Sequence, residues 1–85
     1  MTVNKEIIVR ARRIIDNLYV QPDIMQLGQQ CIKFAFTFEN GKCMWSYLSE
    51  NKIECFCAGD DEHVHPVTVY TDAEFIKLFL EISRK

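Results

Sequence analysis

Residues 31–47 read CIKFAFTFENGKCMWSY, and their alternation sets the class of fold. Ile32, Phe34, Phe36 and Phe38 fall at every second position, Asn40-Gly41 offers a turn, and Cys43, Trp45 and Tyr47 resume the same period. Alternation of this kind marks a half-buried strand, and Asn-Gly between two such runs is a strong hairpin signal. A two-residue loop pairs Glu39 with Lys42 and sets Phe38 against Cys43, Phe36 against Trp45 and Phe34 against Tyr47. The expected core face is therefore aromatic on both strands, which leaves Met44, Ser46 and Leu48 on the other face.

Downstream, Ser49-Glu50-Asn51-Lys52 separates Leu48 from Ile53. A three-residue loop there places Ile53, Cys55 and Cys57 on the aromatic face, and an even loop places Glu54, Phe56 and Ala58 there. The first is expected, because it keeps the Glu54 carboxylate out of the core. A third hairpin at Gly59-Asp60-Asp61 leads into a strand over 64–70, which Pro66 marks as an edge because proline cannot donate to a ladder. Thr71-Asp72-Ala73-Glu74 is a capping box that opens a helix to about Ser83, with Phe75, Leu78, Phe79 and Ile82 as its core stripe.

Upstream, Ile7, Ile8, Ala11, Ile14, Ile15 and Leu18 form one face of a helix over 4–18, capped by Thr2 or Asn4. Residues 19–30 read as a connection, with a short helical turn near 23–27 after Pro22 and before Gly28. The expected fold is α+β: a two-layer sandwich of a four-stranded antiparallel meander with an N-terminal and a C-terminal helix on one face (α-β-β-β-β-α), forming a single domain over 1–85.

Composition bounds the function. A chain of 85 residues buries only about 60–65% of its unfolded surface, so it needs either a dense core or a partner subunit. The net charge of −2 and pI near 5.6 argue against general nucleic-acid binding, which rests on clustered lysine and arginine. The N-terminus lacks the pattern of a signal peptide, and no apolar run has the length of a membrane span, so a cytoplasmic protein with reduced thiols is expected.

Three side-chain constellations could carry chemistry. Cys55-x-Cys57 and His63-x-His65 bring thiolate and imidazole, the natural ligands of tetrahedral zinc, onto neighbouring strands, with Cys55 expected opposite His65 and Cys57 opposite His63. Their spacing lacks the C-x₂-C geometry of structural sites, and two small buried thiols beside solvated histidines is the preferred reading. The same cysteines, mid-strand on a face expected to be buried, make poor nucleophiles. A Cys43–Cys57 disulfide is compatible with the expected register. Lys5, Arg10, Arg12 and Arg13 could meet phosphate, against the simpler reading of a solvated helix face with intrahelical pairs. Asp60, Asp61 and Glu62 could hold a hard cation, but three consecutive acids make a solvated turn rather than a spaced ligand loop. The helix–strands–helix order resembles that of the double-stranded-RNA-binding domain. The last helix opens on Asp72 and Glu74 where those domains are expected to carry lysines, so that function is not carried over.

What remains is surface. The second sheet face is expected to carry Met44, Phe56, Val64 and Tyr70 as a contiguous apolar patch, with Asp60, Asp61 and Glu62 as steering charges. The leading expectation is a small intracellular non-enzymatic interaction protein (adaptor, inhibitor or antitoxin-like regulator) without cofactor. Its partner would be another protein, and a homodimer through the sheet face or an edge strand is expected. The alternatives are a nucleic-acid-associated regulator using the basic face of the first helix, and a Cys2His2 metal-binding protein.

Overall fold

Strand pairing and helix striping converge on one buried side. The computed structural model describes residues 5–58 and 64–84. Its elements run α1 (Lys5–Asp16), β1 (Asp23–Leu27), β2 (Cys31–Thr37), β3 (Cys43–Leu48), β4 (Ile53–Ala58), β5 (Val64–Val69) and α2 (Asp72–Arg84). The class is α+β, with a sheet of five strands rather than the expected four, ordered β1-β2-β3-β4-β5 and antiparallel at every step. The caps expected at Thr2 or Asn4, the third turn at Gly59-Asp60-Asp61, and Glu62 and His63 lie outside the described residues. No helix among the described residues is long and apolar enough to cross a membrane.

The additional strand is β1. The helical turn expected near 23–27 is absent, and Asp23–Leu27 pairs with β2, Ile24 opposite Phe34 and Leu27 opposite Cys31. Five residues cannot repay the cost of nucleating a helix. The free edge of β2, in contrast, offers a row of N–H and C=O groups to satisfy. Gly28, at φ +66, adopts the left-handed conformation that lets the chain reverse into β2.

The β2–β3 hairpin departs from the expected register by one residue. Phe36 lies opposite Met44, Phe34 opposite Ser46 and Ile32 opposite Leu48. The Phe38 N–H donates to the Lys42 carbonyl at 2.9 Å and the Gly41 N–H to the Phe38 carbonyl at 3.0 Å. The loop is therefore Glu39-Asn40-Gly41, three residues, with Gly41 at φ +86 in the left-handed position that such loops require. Asn40 explains the choice. Its Nδ2 donates to the carbonyls of Ile82 at 3.0 Å and Ser83 at 3.3 Å, at the end of α2, while its Oδ1 accepts from the Lys42 N–H at 2.9 Å. A side chain that satisfies orphan helix carbonyls ties the hairpin tip to the helix and sets its length.

Because strand side chains alternate, one step of slip exchanges the faces of β3 completely. Met44, Ser46 and Leu48 are fully buried, and Cys43, Trp45 and Tyr47 point to the opposite side, half-buried. The β3–β4 turn departs too. The Ser49 N–H donates to the Lys52 carbonyl at 3.0 Å, closing an even loop with Glu50-Asn51 at its tip. The two departures cancel, so Ile53, Cys55 and Cys57 still face the core. Cys43 and Cys57 lie on opposite faces, which rules out the disulfide between them, and all four cysteines are free thiols.

Both helices cover the inner face. Ile7, Ala11 and Ile14 from α1, Leu18 just after it, and Phe75 and Phe79 from α2 join the inward residues of the strands in one core. Phe36 is its hub, with ring centroids 6.2 Å from Phe34, 5.9 Å from Phe38, 6.2 Å from Phe75 and 5.4 Å from Phe79. Ser46, the one buried polar side chain among the described residues, gives its hydroxyl to the Cys55 Sγ at 3.6 Å. The N-cap half of the expected capping box forms at the start of α2, and Glu74 bonds the Thr71 hydroxyl. Thr71 Oγ1 accepts from the Glu74 N–H at 3.1 Å and donates to its carboxylate at 3.0 Å. Arg10 and Arg13 of α1 close on Asp72 from both sides, at 2.7 and 2.8 Å.

Candidate docking face

With both helices on one side, the other side of the sheet is left without a covering element among the described residues. Its composition follows from the register. One row across the strands reads Asp23, Ala35, Trp45, Phe56 and Pro66, and the next reads Met25, Lys33, Tyr47, Glu54 and Thr68. Trp45, Tyr47 and Phe56 stand side by side at the centre, each half-buried only by its neighbours. The Tyr47 and Phe56 rings meet edge to face with centroids 5.7 Å apart. The Lys33 ammonium lies 5.6 Å from the centre of the Tyr47 ring, a cation–π geometry that holds the lysine against the face. On the far side of Tyr47, Glu54 pairs with Lys52 at 3.2 Å.

Of the patch expected from sequence, Phe56 and Val64 belong to this face, and Val64 is 49% exposed beside Ala58. Met44 does not. It is fully buried between Phe36 and Cys57 in the register, a direct result of the three-residue loop. Tyr70 lies just past the end of β5, exposed, with its carbonyl accepting from Arg10 at 3.0 Å. Asp60, Asp61 and Glu62 are outside the described residues. Trp45 and Tyr47 are the aromatic members that alternation alone assigns to the core. Gly41 was the signal that could have found them, since glycine closes a three-residue loop as readily as it completes Asn-Gly in a two-residue one.

The other constellations do not assemble. Cys57 lies opposite His65, whereas Cys55 lies opposite Val67 rather than His65 as expected. His63 is outside the described residues, and among the described residues no group of three or more potential ligands could hold a metal ion. Burial pushes the Cys55 thiol up to about 11, against the opposing effect of the Ser46 hydroxyl, and burial also raises Cys57. A thiol held protonated is not a nucleophile. An Ellman titration of the native chain should modify Cys31 and Cys43, half-buried on the outer face, ahead of Cys55 and Cys57. The latter pair should react only when denaturant opens the core; four equally fast thiols would refute the assignment of faces. The basic cluster is also divided: Arg10 and Arg13 are engaged by Asp72, while Arg12 is exposed on α1 and Lys5 at its start.

The two edges of the sheet differ. In β5, Pro66 removes a donor and blunts the edge, while β1 presents five exposed residues, with Ile24 and Met25 the most open of its apolar side chains. The chain matches no model of a known protein family, no curated protein and no solved structure.

Proposed function

We propose that this chain is a small non-enzymatic protein-interaction module that docks a partner protein through the outer face of its sheet. One observation carries the reading: Trp45, Tyr47 and Phe56 are presented together on a rigid sheet face that neither helix covers. Tryptophan and tyrosine are the residue types that dominate binding energy at interfaces, and here they stand half-buried on a face that also carries the exposed Val64. The strands hold these rings in place, so docking sacrifices little conformational entropy. Buried, protonated thiols and paired arginines support neither the enzymatic nor the nucleic-acid alternative as well.

The face can be tested by light-activated crosslinking. A photoreactive phenylalanine analogue at position 56 should capture a protein in the cells that make this chain. The same analogue at position 77, exposed on α2, should not. Equal capture at both positions, or none at 56, would remove the outer face from consideration.

A further inference from the structure

The outer face is complementary to itself, and we infer that the partner it docks is a second copy of this chain, packed face to face about a two-fold axis that runs along β3. The inference rests on the docking-face reading above and adds the identity and geometry of the occupant.

The argument starts from the middle strand. β3 is third of five, so a two-fold axis lying between the sheets and parallel to β3 sets β3 on its own copy, β2 over the partner's β4 and β4 over the partner's β2. The rows of residues keep their level under this rotation. Lys33 and Glu54 share one row, on β2 and β4, with Tyr47 between them. Each lysine therefore comes over the glutamate of the other copy, twice per dimer. In the adjoining row Ala35 and Phe56 flank Trp45, so each Phe56 ring comes over the small Ala35 of the other copy, while Trp45 and Tyr47, on β3 itself, meet their own counterparts at the axis. Charge is complementary under this operation, as an isologous interface requires, and the central rings stack on their own copies.

The other face-to-face rotation, about an axis across the strands, sets Lys33 over Ala35 and Glu54 over Phe56. It would desolvate Lys33 with no carboxylate opposite it and leave Glu54 only its own Lys52, which is costly. Packed sheets sit about 10 Å apart with strands within about 30° of each other, so the overlay is closest at the three central strands and loosens toward the edges. Five strands spaced about 4.8 Å apart and about 20 Å long give a footprint of about 500 Å² per copy. The sum, at most about 1,000 Å² for complete overlap, falls at the weak, transient end of specific interfaces. The expected dimer is modest in affinity and reversible.

Charge reversal tests the geometry. Lys33→Glu sets two glutamates against each other at both ends of the row, and Glu54→Lys does the same with lysines. Each variant alone should dissociate with a Kd raised at least about tenfold over the unaltered chain in sedimentation equilibrium. An equimolar mixture of the two variants should form a heterodimer of near-original affinity, because the glutamate introduced on β2 of one chain then meets the lysine introduced on β4 of the other. Misfolded variants could not complement in this way. A dimer that survives both single reversals, or variants that fail to complement, would overturn the β3-centred arrangement and favour pairing through the β1 edge. A chain that stays monomeric at hundreds of micromolar would overturn self-association altogether. Capture of a different protein at position 56 would then leave the docking face standing with another occupant.

Discussion

Replacing Phe36 with alanine should remove about 3–5 kcal/mol of folding stability, the usual cost of deleting a fully enclosed aromatic ring. A domain of this length has about 4–13 kcal/mol to lose, so the variant should unfold at markedly lower urea than the original chain and, at the low end of that range, near its midpoint with no urea at all. The reason lies in position rather than residue type. Phe36 is 2% exposed and touches rings from its own strand and from α2, so its loss opens a cavity that neither layer can close alone. Phe56, with the same side chain on the outer face, is the control. Half-buried against Tyr47, it should cost about 1 kcal/mol on truncation, within the ordinary range for a partly exposed site. Urea denaturation of the two variants at one temperature gives the comparison directly. Equal losses would mean that the inner and outer faces are not distinguished as described.

Asp72 should give the second-largest effect, and one that depends on pH. Burial alone would raise its carboxyl, but hydrogen bonds from Arg10 and Arg13, with the charges of both, outweigh it and hold the group below its ordinary value. The side chain is 24% exposed, Arg10 16% and Arg13 58%. The site thus lies between a buried pair, where removing one partner costs about 3–5 kcal/mol, and a surface pair worth less than about 1. Asp72→Asn should therefore cost about 2 kcal/mol near neutral pH, part of it from a negative charge lost at the start of α2.

The sign of the pH dependence follows from the lowered carboxyl. A group that binds its proton less readily when folded stabilises the fold at any pH above its unfolded value, near 3.9. That contribution disappears as pH falls through the lower, folded value. The difference between the original chain and Asp72→Asn should hold constant from pH 7 to about 5 and then shrink below about pH 4. A difference that stays constant down to pH 2 would mean that the Arg10–Asp72–Arg13 bridge contributes nothing measurable.

The bridge also shows what a linear reading misses. Arg10 and Arg13 lie 62 and 59 positions from Asp72 in sequence, and intrahelical pairing was the only partner that spacing could suggest for the arginines. The capping box at Thr71 and Glu74 was legible because all of its partners lie within one turn. Pro66 likewise announced an edge strand through a local property, its missing donor. β1 was not legible in the same way. Asp23–Leu27 has too little pattern to declare itself, and it is a strand because β2 had an unpaired edge beside it.

Alternation along the chain, then, was enough to establish the four strands β2 to β5, which residues stripe the two helices, and that the sheet keeps one apolar side inward. It left open which side of β3 that is. Both alternatives bury apolar groups, and the aromatic set was expected inward because a two-residue Asn40-Gly41 loop places it there. The decision came from across the molecule. Asn40 reaches the last carbonyls of α2, the loop lengthens by one residue, and Met44, Ser46 and Leu48 turn inward beneath the helices. Trp45 and Tyr47 turn outward with Phe56. A period of two makes a strand's faces interchangeable by a single step, and only a contact between distant elements can select the step.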